Sequence, residues 1–267
     1  MAPMSSVDYI FETGTDLGRA HMGYLEHLLD VPTVDCLEAA GVRPGQRCLD
    51  VGAGGGSITR WLAERVGPAG TVVALDLDVD HIEEQPGVEV HRHDITDGLP
   101  DDRTYDLIHA RAVLLHLPRR EEVFATLVGA LAPGGRLVLG ELTSRPLTVL
   151  SAPTPQDAEL WTRMQHLSHE VVSPAAGISF TWGREVDARM TAAGLVDVEG
   201  RAYSRTTTGG SPGCLLHRNL NTQAEPLLRQ AGATDDELSR YRELMLDPSF
   251  RAWFYELVYT RGRRPGP

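Results

Sequence analysis

The chain is expected to fold as an α/β protein around a parallel sheet covered on both faces by helices. Two observations predict this. Residues 48–56 (Cys-Leu-Asp-Val-Gly-Ala-Gly-Gly-Gly) run a short apolar strand pattern into a glycine turn, and a helical stretch from Ser57 to Val66 follows. Strand-like and helix-like segments then alternate as far as residue 141, the rhythm of parallel strands joined by crossover helices. The 267 residues, 42% of them hydrophobic, are enough to bury such a sheet.

Taken in order, residues 15–30 place Leu17, Met22, Leu25, Leu28 and Leu29 at helical spacing, and a second helix is expected to end over Leu37 to Ala40, before Gly41. Strands are expected near 47–52, 71–76, 88–93, 105–110 and 135–141, and helices near 55–66 and 119–131, with a short one near 79–85. Residues 142–182 break the rhythm with Pro146, Pro153, Pro155 and Pro174 around one helical stretch, Asp157 to Val172. A helix near 183–193 and a strand near 196–204 resume it. Residues 211–247 read as two more helices. The aromatic and β-branched run 252–261 reads as a final strand. The expected organisation is an amino-terminal helical lid (1–35), a ligand-binding core (36–145), a second lid insertion (146–182) and a carboxyl-terminal completion of the sheet (183–267) with a helical insertion at 211–247.

Composition excludes several functions. The net charge is −12, from 25 basic and 37 acidic residues, which disfavours a nucleic-acid partner. Every basic residue is arginine; with no lysine in the chain, Schiff-base and lysine-base chemistry are excluded. The absence of lysine beside abundant Ala, Gly, Pro and Arg points to a GC-rich genome, such as an actinobacterial one. Cys36, Cys48 and Cys214 lack metal-site spacing and read as reduced thiols. No apolar run is long enough for a membrane span and no signal segment is apparent, so a cytoplasmic protein is expected.

Gly52, Gly54 and Gly56 let the backbone approach a ligand closely, and the amides opening the next helix aim at the same place. Ser57 stands where the dinucleotide fingerprint needs its third glycine. Asp76 ends the second strand, where a carboxylate can accept two ribose hydroxyls. Asp94 follows the third, where it can accept an adenine amine. Tyr105-Asp106-Leu107-Ile108-His109-Ala110-Arg111 forms the fourth strand, and Leu131-Ala132-Pro133-Gly134-Gly135-Arg136-Leu137 turns a helix into the fifth.

This ordered series resembles the class I S-adenosylmethionine-dependent methyltransferases over roughly residues 40–145, most closely the small-molecule branch of quinone-type and actinobacterial natural-product enzymes. The resemblance implies a Rossmann-like seven-stranded sheet of order 3-2-1-4-5-7-6, its last strand antiparallel. It implies that the turn from Asp50 to Gly56 surrounds the methionine part of S-adenosylmethionine, with Gly52 facing the amino group. Asp76 would hold the ribose hydroxyls. Asp94 would meet the adenine amine, Ile95 and Leu77 would flank its ring, and Ala110 and Arg111 would line the wall near the sulfonium. Each has a competing local reading: Asp50 as a cap of the glycine turn, Asp76 as a strand-end turn residue, Asp94 as a helix N-cap and Arg111 as a core-edge ion pair.

An activated methyl group needs an in-line nucleophile and a dry site, and a phenol or alcohol acceptor also needs a base. The candidate bases are His116 after the fourth strand, and His166 and His169 in the lid helix, which sit at i and i+3 on one expected face with Glu170 beside them. His21, with Arg19, is expected near the cofactor carboxylate or the acceptor. Trp161, Phe180, Trp182 and Tyr203 are candidates for an aromatic acceptor pocket, the competing reading being lid packing. Tyr9 and Phe11 precede the first helix and would close over the site or meet a partner subunit. No acidic cluster resembles a metal site, so no metal is expected. The acceptor is expected to be a small aromatic or heteroaromatic metabolite of secondary metabolism, methylated on carbon or oxygen; a quinone precursor of primary metabolism and a cofactor-binding protein without transfer are the alternatives. The amino-terminal helix has no place in the sheet, which suggests a homodimer that exchanges it.

Overall fold

In the computed structural model, residues 15–146 and 148–266 are described, so Tyr9 and Phe11 lie outside the described residues. The chain divides into two compact units. A sheet unit comprises residues 29–143, 181–203 and those from 257 on; a helical unit comprises the residues up to 28, 144–180 and 204–256.

In the sheet unit, β1 (Arg47–Val51) pairs in parallel with β2 (Thr71–Asp76) on one side and β4 (Tyr105–Arg111) on the other. β2 pairs in parallel with β3 (Val88–Arg92), and β4 with β5 (Leu131–Thr143). β8 (Arg251–Arg263) lies beyond β5 and β7 (Val196–Thr208) pairs with β8. The order β3-β2-β1-β4-β5-β8, with β7 beside β8, is the expected 3-2-1-4-5-7-6 once a short additional strand, β6 (Val149–Ser151), is set aside. The central strands are mostly apolar because helices cover both faces: Leu49, Val73, Ile108 and Leu137 are completely buried. Helices α2 (Ser57–Val66), α3 (Arg120–Gly129) and α6 (Trp182–Ala192) supply that cover, with Leu62, Leu127 and Met190 fully buried.

In the helical unit, β6 pairs antiparallel with the first residues of β8. Around it lie α4 (Pro155–His166), a π-helical turn (Leu167–Val172), the short α5 (Ser173–Ala175), α7 (Pro212–Gln223), α8 (Glu225–Gln230) and α9 (Asp235–Leu244). Trp161, Met164, Tyr241, Leu244, Met245 and Phe250 form its core. Thr234 and Glu237 close a reciprocal capping box on α9.

Four expectations are corrected. The two amino-terminal helices are one, α1 (Asp16–Ala40), which runs through Pro32. Proline removes one backbone donor there, and the neighbouring Thr33 hydroxyl donates to the Leu29 carbonyl at 2.6 Å within the same turn. Residues 79–85 form no helix, because Asp76 and Asp78 side chains accept the N–H groups of Asp78 and Asp80 (3.0 and 3.2 Å) and hold turns instead. Residues 211–247 hold three helices, broken at Ala224 and Gly232. The fifth strand starts at Leu131, ahead of the expected 135, its register with β4 shifting between Tyr105 and Leu107.

Candidate functional site

The carboxyl ends of β1, β2 and β4 converge on the glycine turn. The N–H groups of Gly52 and Ala53 both donate to the Leu75 carbonyl (2.8 and 3.1 Å), which bends the chain sharply off β1. Gly52, Gly54 and Gly56 have φ of 68°, 57° and 78°. A Cβ on Gly52 would stand 2.2 Å from Val113 Cγ2, so both its positive φ and its close packing against Val113 require glycine here. Gly56 caps α2 without any side-chain bond, leaving the first amides of that helix directed into the turn.

Asp76 ties the turn to β2. Its Oδ2 accepts the Gly54 N–H at 2.8 Å and its Oδ1 accepts the Asp78 N–H at 3.0 Å. Burial raises its pKa, opposed by the N–H donors of Asp78, Gly54 and Leu77. A carboxylate has about four acceptor sites, so with these three donors in place one remains for a ligand hydroxyl. Leu77 beside it is 55% exposed, an apolar side chain with nothing covering it. Asp94 caps the turn Ile95–Asp97, a single oxygen accepting both the Thr96 N–H (2.8 Å) and its hydroxyl (2.7 Å), so the local reading holds while the other oxygen stays available. Ile95 is buried in the core next to it.

Three expected cofactor residues act otherwise. Asp50 is buried beneath the turn, accepting the Thr59 hydroxyl at 2.6 Å and pairing with His109 Nδ1 at 2.8 Å. It neither lines nor caps the glycine loop; it fastens β1 to α2 and β4 from below. Ala110 is completely buried in the core cluster, because alternation along β4 turns it inward. Arg111 pairs with Asp30 (2.7 Å) and donates to Thr33 (3.0 Å), while Asp30 also accepts the Ser57 hydroxyl (3.1 Å). This network joins α1, the end of β4 and the first residue of α2.

The sequence did not reveal two further residues. Ala112, just past β4, has φ 54°, a conformation that costs a non-glycine residue about 1 kcal/mol or more. Its N–H donates to the Gly140 carbonyl at 2.7 Å, and the turn presents Val113 to Gly52. Glu141, on β5, is fully buried and accepts the N–H groups of Leu114 and Leu115 (3.0 and 3.3 Å). Burial pushes its carboxyl up to about 8 against those two donors and nearby Arg120. An acidic residue inside an apolar strand gives no sequence signal of this kind. His116 closes the same turn, Leu114–His116, and is half-buried.

Trp182 is also reassigned. It is 1% exposed in the core of the sheet unit, edge-on to Phe124 at 6.2 Å and beneath the Arg189 guanidinium at 4.7 Å. Tyr203 packs edge-on against Tyr259.

In the helical unit, His166 and His169 do not share a face. His166 is exposed and His169 buried, because the chain widens into the π-helical turn directly after His166. Glu170 is exposed. His169 Nε2 lies 3.0 Å from the Tyr255 hydroxyl, and Phe180 stacks on Tyr255 at 5.7 Å with an 8° interplanar angle. His217, missed in the sequence, sits 5.1 Å from Tyr255 and 6.5 Å from Trp161, ring to ring. Burial lowers His169 to about 4 and His217 to about 3, so both are neutral at neutral pH. A narrow cleft opens between Arg145 and the rings of His169, His217 and Tyr255, with Trp161 at its wall. His21 lies elsewhere in this unit, buried, bonded to Asn219 and lowered to about 4 by burial. Arg19 on the same helix pairs with Asp16.

Among the described residues no helix is long and apolar enough to cross a membrane. A family model described as a methyltransferase domain matches residues 24–199. A trans-aconitate 2-methyltransferase of Rhizobium rhizogenes is 35% identical over 112 residues, 40% of this chain and 43% of the relative. A ubiquinone/menaquinone biosynthesis C-methyltransferase of Ectopseudomonas mendocina is 31% identical over 117 residues, 40% of this chain and 46% of the relative. The matches thus span less than half the length of these curated relatives. The fold is that of a Haemonchus contortus phosphoethanolamine N-methyltransferase 2 solved with phosphomonomethylethanolamine and S-adenosylhomocysteine: TM-score 0.58 at 14% identity, covering 99% of this chain and 61% of that one.

Proposed function

The chain belongs to the methyltransferase domain family, and from that premise we propose that it transfers the methyl group of S-adenosylmethionine to a carbon or oxygen of a small aromatic acceptor. The observation that carries this reading is the glycine turn at the end of β1: three residues at positive φ and the Asp76 carboxylate bonded to Gly54. The residues present suit the cofactor. Asp76 has an acceptor site left for a ribose hydroxyl, Asp94 keeps one oxygen for an adenine amine, and Leu77 offers an uncovered apolar face to the ring. The turn leaves the helix-opening amides of α2 for a carboxylate.

When bound, the cofactor supplies an activated methyl on a sulfonium. This chain's residues then need only orient the acceptor, exclude water and take up a proton. His169 is the leading acceptor of that proton: it is neutral, hydrogen-bonded to Tyr255 and flanked by Phe180. His116 is the second candidate, and the exposed His166 the third. The aromatic rings at the cleft support an aromatic acceptor, and the resemblance to a quinone C-methyltransferase supports carbon as the receiving atom and keeps a quinone precursor as the rival substrate. The proposal extends to a cytoplasmic enzyme of secondary metabolism, working without a metal and as a homodimer through the amino-terminal helix; a monomeric mass by light scattering refutes the dimer.

Calorimetric titration with S-adenosylhomocysteine and, separately, NAD⁺ tests the cofactor. Micromolar binding of the first alone is expected, and binding of NAD⁺ alone refutes the reading. Methyl transfer from labelled cofactor to a panel of phenols, indoles, quinols and amines tests the reaction. Cofactor binding without turnover on any of them would support instead a cofactor-binding protein that transfers no methyl.

A further inference from the structure

We propose that the cleft of the helical unit is a carboxylate subsite, so that the acceptor is a planar acid whose carboxylate is held by Arg145, Trp161 and His217. The inference rests on the transferase reading and names the substrate class for it. Its basis is a mismatch between donors and acceptors. Three buried N–H-bearing atoms lining this cleft have no hydrogen-bond partner: Arg145 Nε, Trp161 Nε1 and His217 Nε2. Trp161 and His217 are 2% and 4% exposed, so water does not readily serve them. Leaving a buried donor unmatched costs about 1–3 kcal/mol, and three at one cleft ask for a common ligand.

Each of the three presents a donor. An indole N–H and a guanidinium only donate. For His217 the tautomer follows from its neighbour. Gln165 Nε2 donates to the Tyr241 hydroxyl at 2.7 Å and approaches His217 Nδ1 at 3.4 Å. An amide nitrogen has no lone pair to offer, so Nδ1 is the acceptor and the ring proton sits on Nε2. The ring carries no charge, since burial holds it neutral.

The charge balance points the same way. Arg145 lies over the Trp253 ring at 4.4 Å and donates to the Ser204 hydroxyl, but among the described residues no carboxylate pairs with it. No Asp or Glu lines the cleft. One unmatched cation among neutral donors suits a single negative charge, and the cleft is narrow, with room for about one water molecule as it stands. A planar two-oxygen anion fits that description better than a dianionic phosphate. The rings of Trp253, Phe254 and Tyr255 then form an apolar wall for the body of the molecule.

The test is binding of benzoate, benzamide and phenyl phosphate, measured by ligand-observed NMR on the full chain, with calorimetric titration of S-adenosylhomocysteine alongside. Benzoate is expected to bind at least tenfold more tightly than either of the others. Arg145→Met should weaken benzoate at least tenfold, and Trp161→Phe, which keeps a ring and removes the N–H, about threefold or more. Both should leave S-adenosylhomocysteine affinity unchanged. Equal binding of benzoate and benzamide, tighter binding of phenyl phosphate, or unchanged benzoate affinity in both variants overturns the carboxylate subsite while the transferase reading stands. Failure of S-adenosylhomocysteine to bind the unaltered protein overturns the transferase reading itself.

Discussion

Replacing Glu141 by Gln should remove the pH dependence that this residue gives the fold. Its carboxyl is fully buried and raised from 4.5 to about 8. The native state therefore holds a proton that the unfolded chain releases near pH 4.5. Stability from this group is complete below pH 4.5 and is lost as pH rises toward 8, a total of about 5 kcal/mol at 1.36 kcal/mol per tenfold change in proton affinity. Between pH 6 and pH 8 the loss is about 2 kcal/mol by the same linkage. Gln cannot ionise, but it offers only one acceptor oxygen to the two N–H groups of Leu114 and Leu115. The variant should thus be about 1 kcal/mol more stable than the parent at pH 6, and the gap should widen to about 3 kcal/mol by pH 8. Urea unfolding followed by circular dichroism at pH 6, 7, 8 and 9 reads this out. Parallel stability curves for the two proteins would show that Glu141 is ionised in its strand and that the argument from burial fails.

Other outcomes follow from the same geometry. Asp76→Ala should weaken S-adenosylhomocysteine at least tenfold by calorimetry, the loss expected for charge-assisted bonds; unchanged affinity would reduce Asp76 to a turn residue. Gly52→Ala forces a left-handed alanine against Val113, about 1–2 kcal/mol before any clash is relieved, and should lower both the melting temperature and cofactor affinity. His21 and His169 are buried neutral at about 4, below their unfolded value, so stability is full above pH 6.5 and falls on acidification. Each should cost about 2 kcal/mol at pH 5, and urea midpoints that do not move between pH 7 and pH 5 would contradict their burial. His169→Phe should lower turnover without weakening S-adenosylhomocysteine, whereas full activity would move the base to His116.

Much of the sheet was legible because its signals are local. Alternating apolar strands and helices need only their own residues to declare themselves, and the glycines at 52, 54 and 56 mark a turn that side chains would obstruct. The place of Asp76 at the end of the second strand was legible for the same reason, since a strand end in a parallel sheet is a fixed address. Two amino-terminal helices were expected where one runs through Pro32, because their apolar patterns at 15–30 and 37–40 read as separate, while the Thr33 hydroxyl bonds a carbonyl in the turn that holds the proline. His166 and His169 misled because an ordinary helical pitch was assumed where the chain widens.

By itself, then, the sequence determined the sheet, its order by resemblance, the glycine turn and the absence of any lysine chemistry. Only the tertiary structure decided what each polar side chain does. Asp50 paired with Thr59 and His109, Trp182 entered a core, Glu141 was buried against two backbone amides, and His217 joined Trp161 and Arg145. Those outcomes depend on which groups from distant segments share a buried space. Burial and partner together set whether a titratable group is charged and whether a donor is satisfied, and neither is written in the residues next to it.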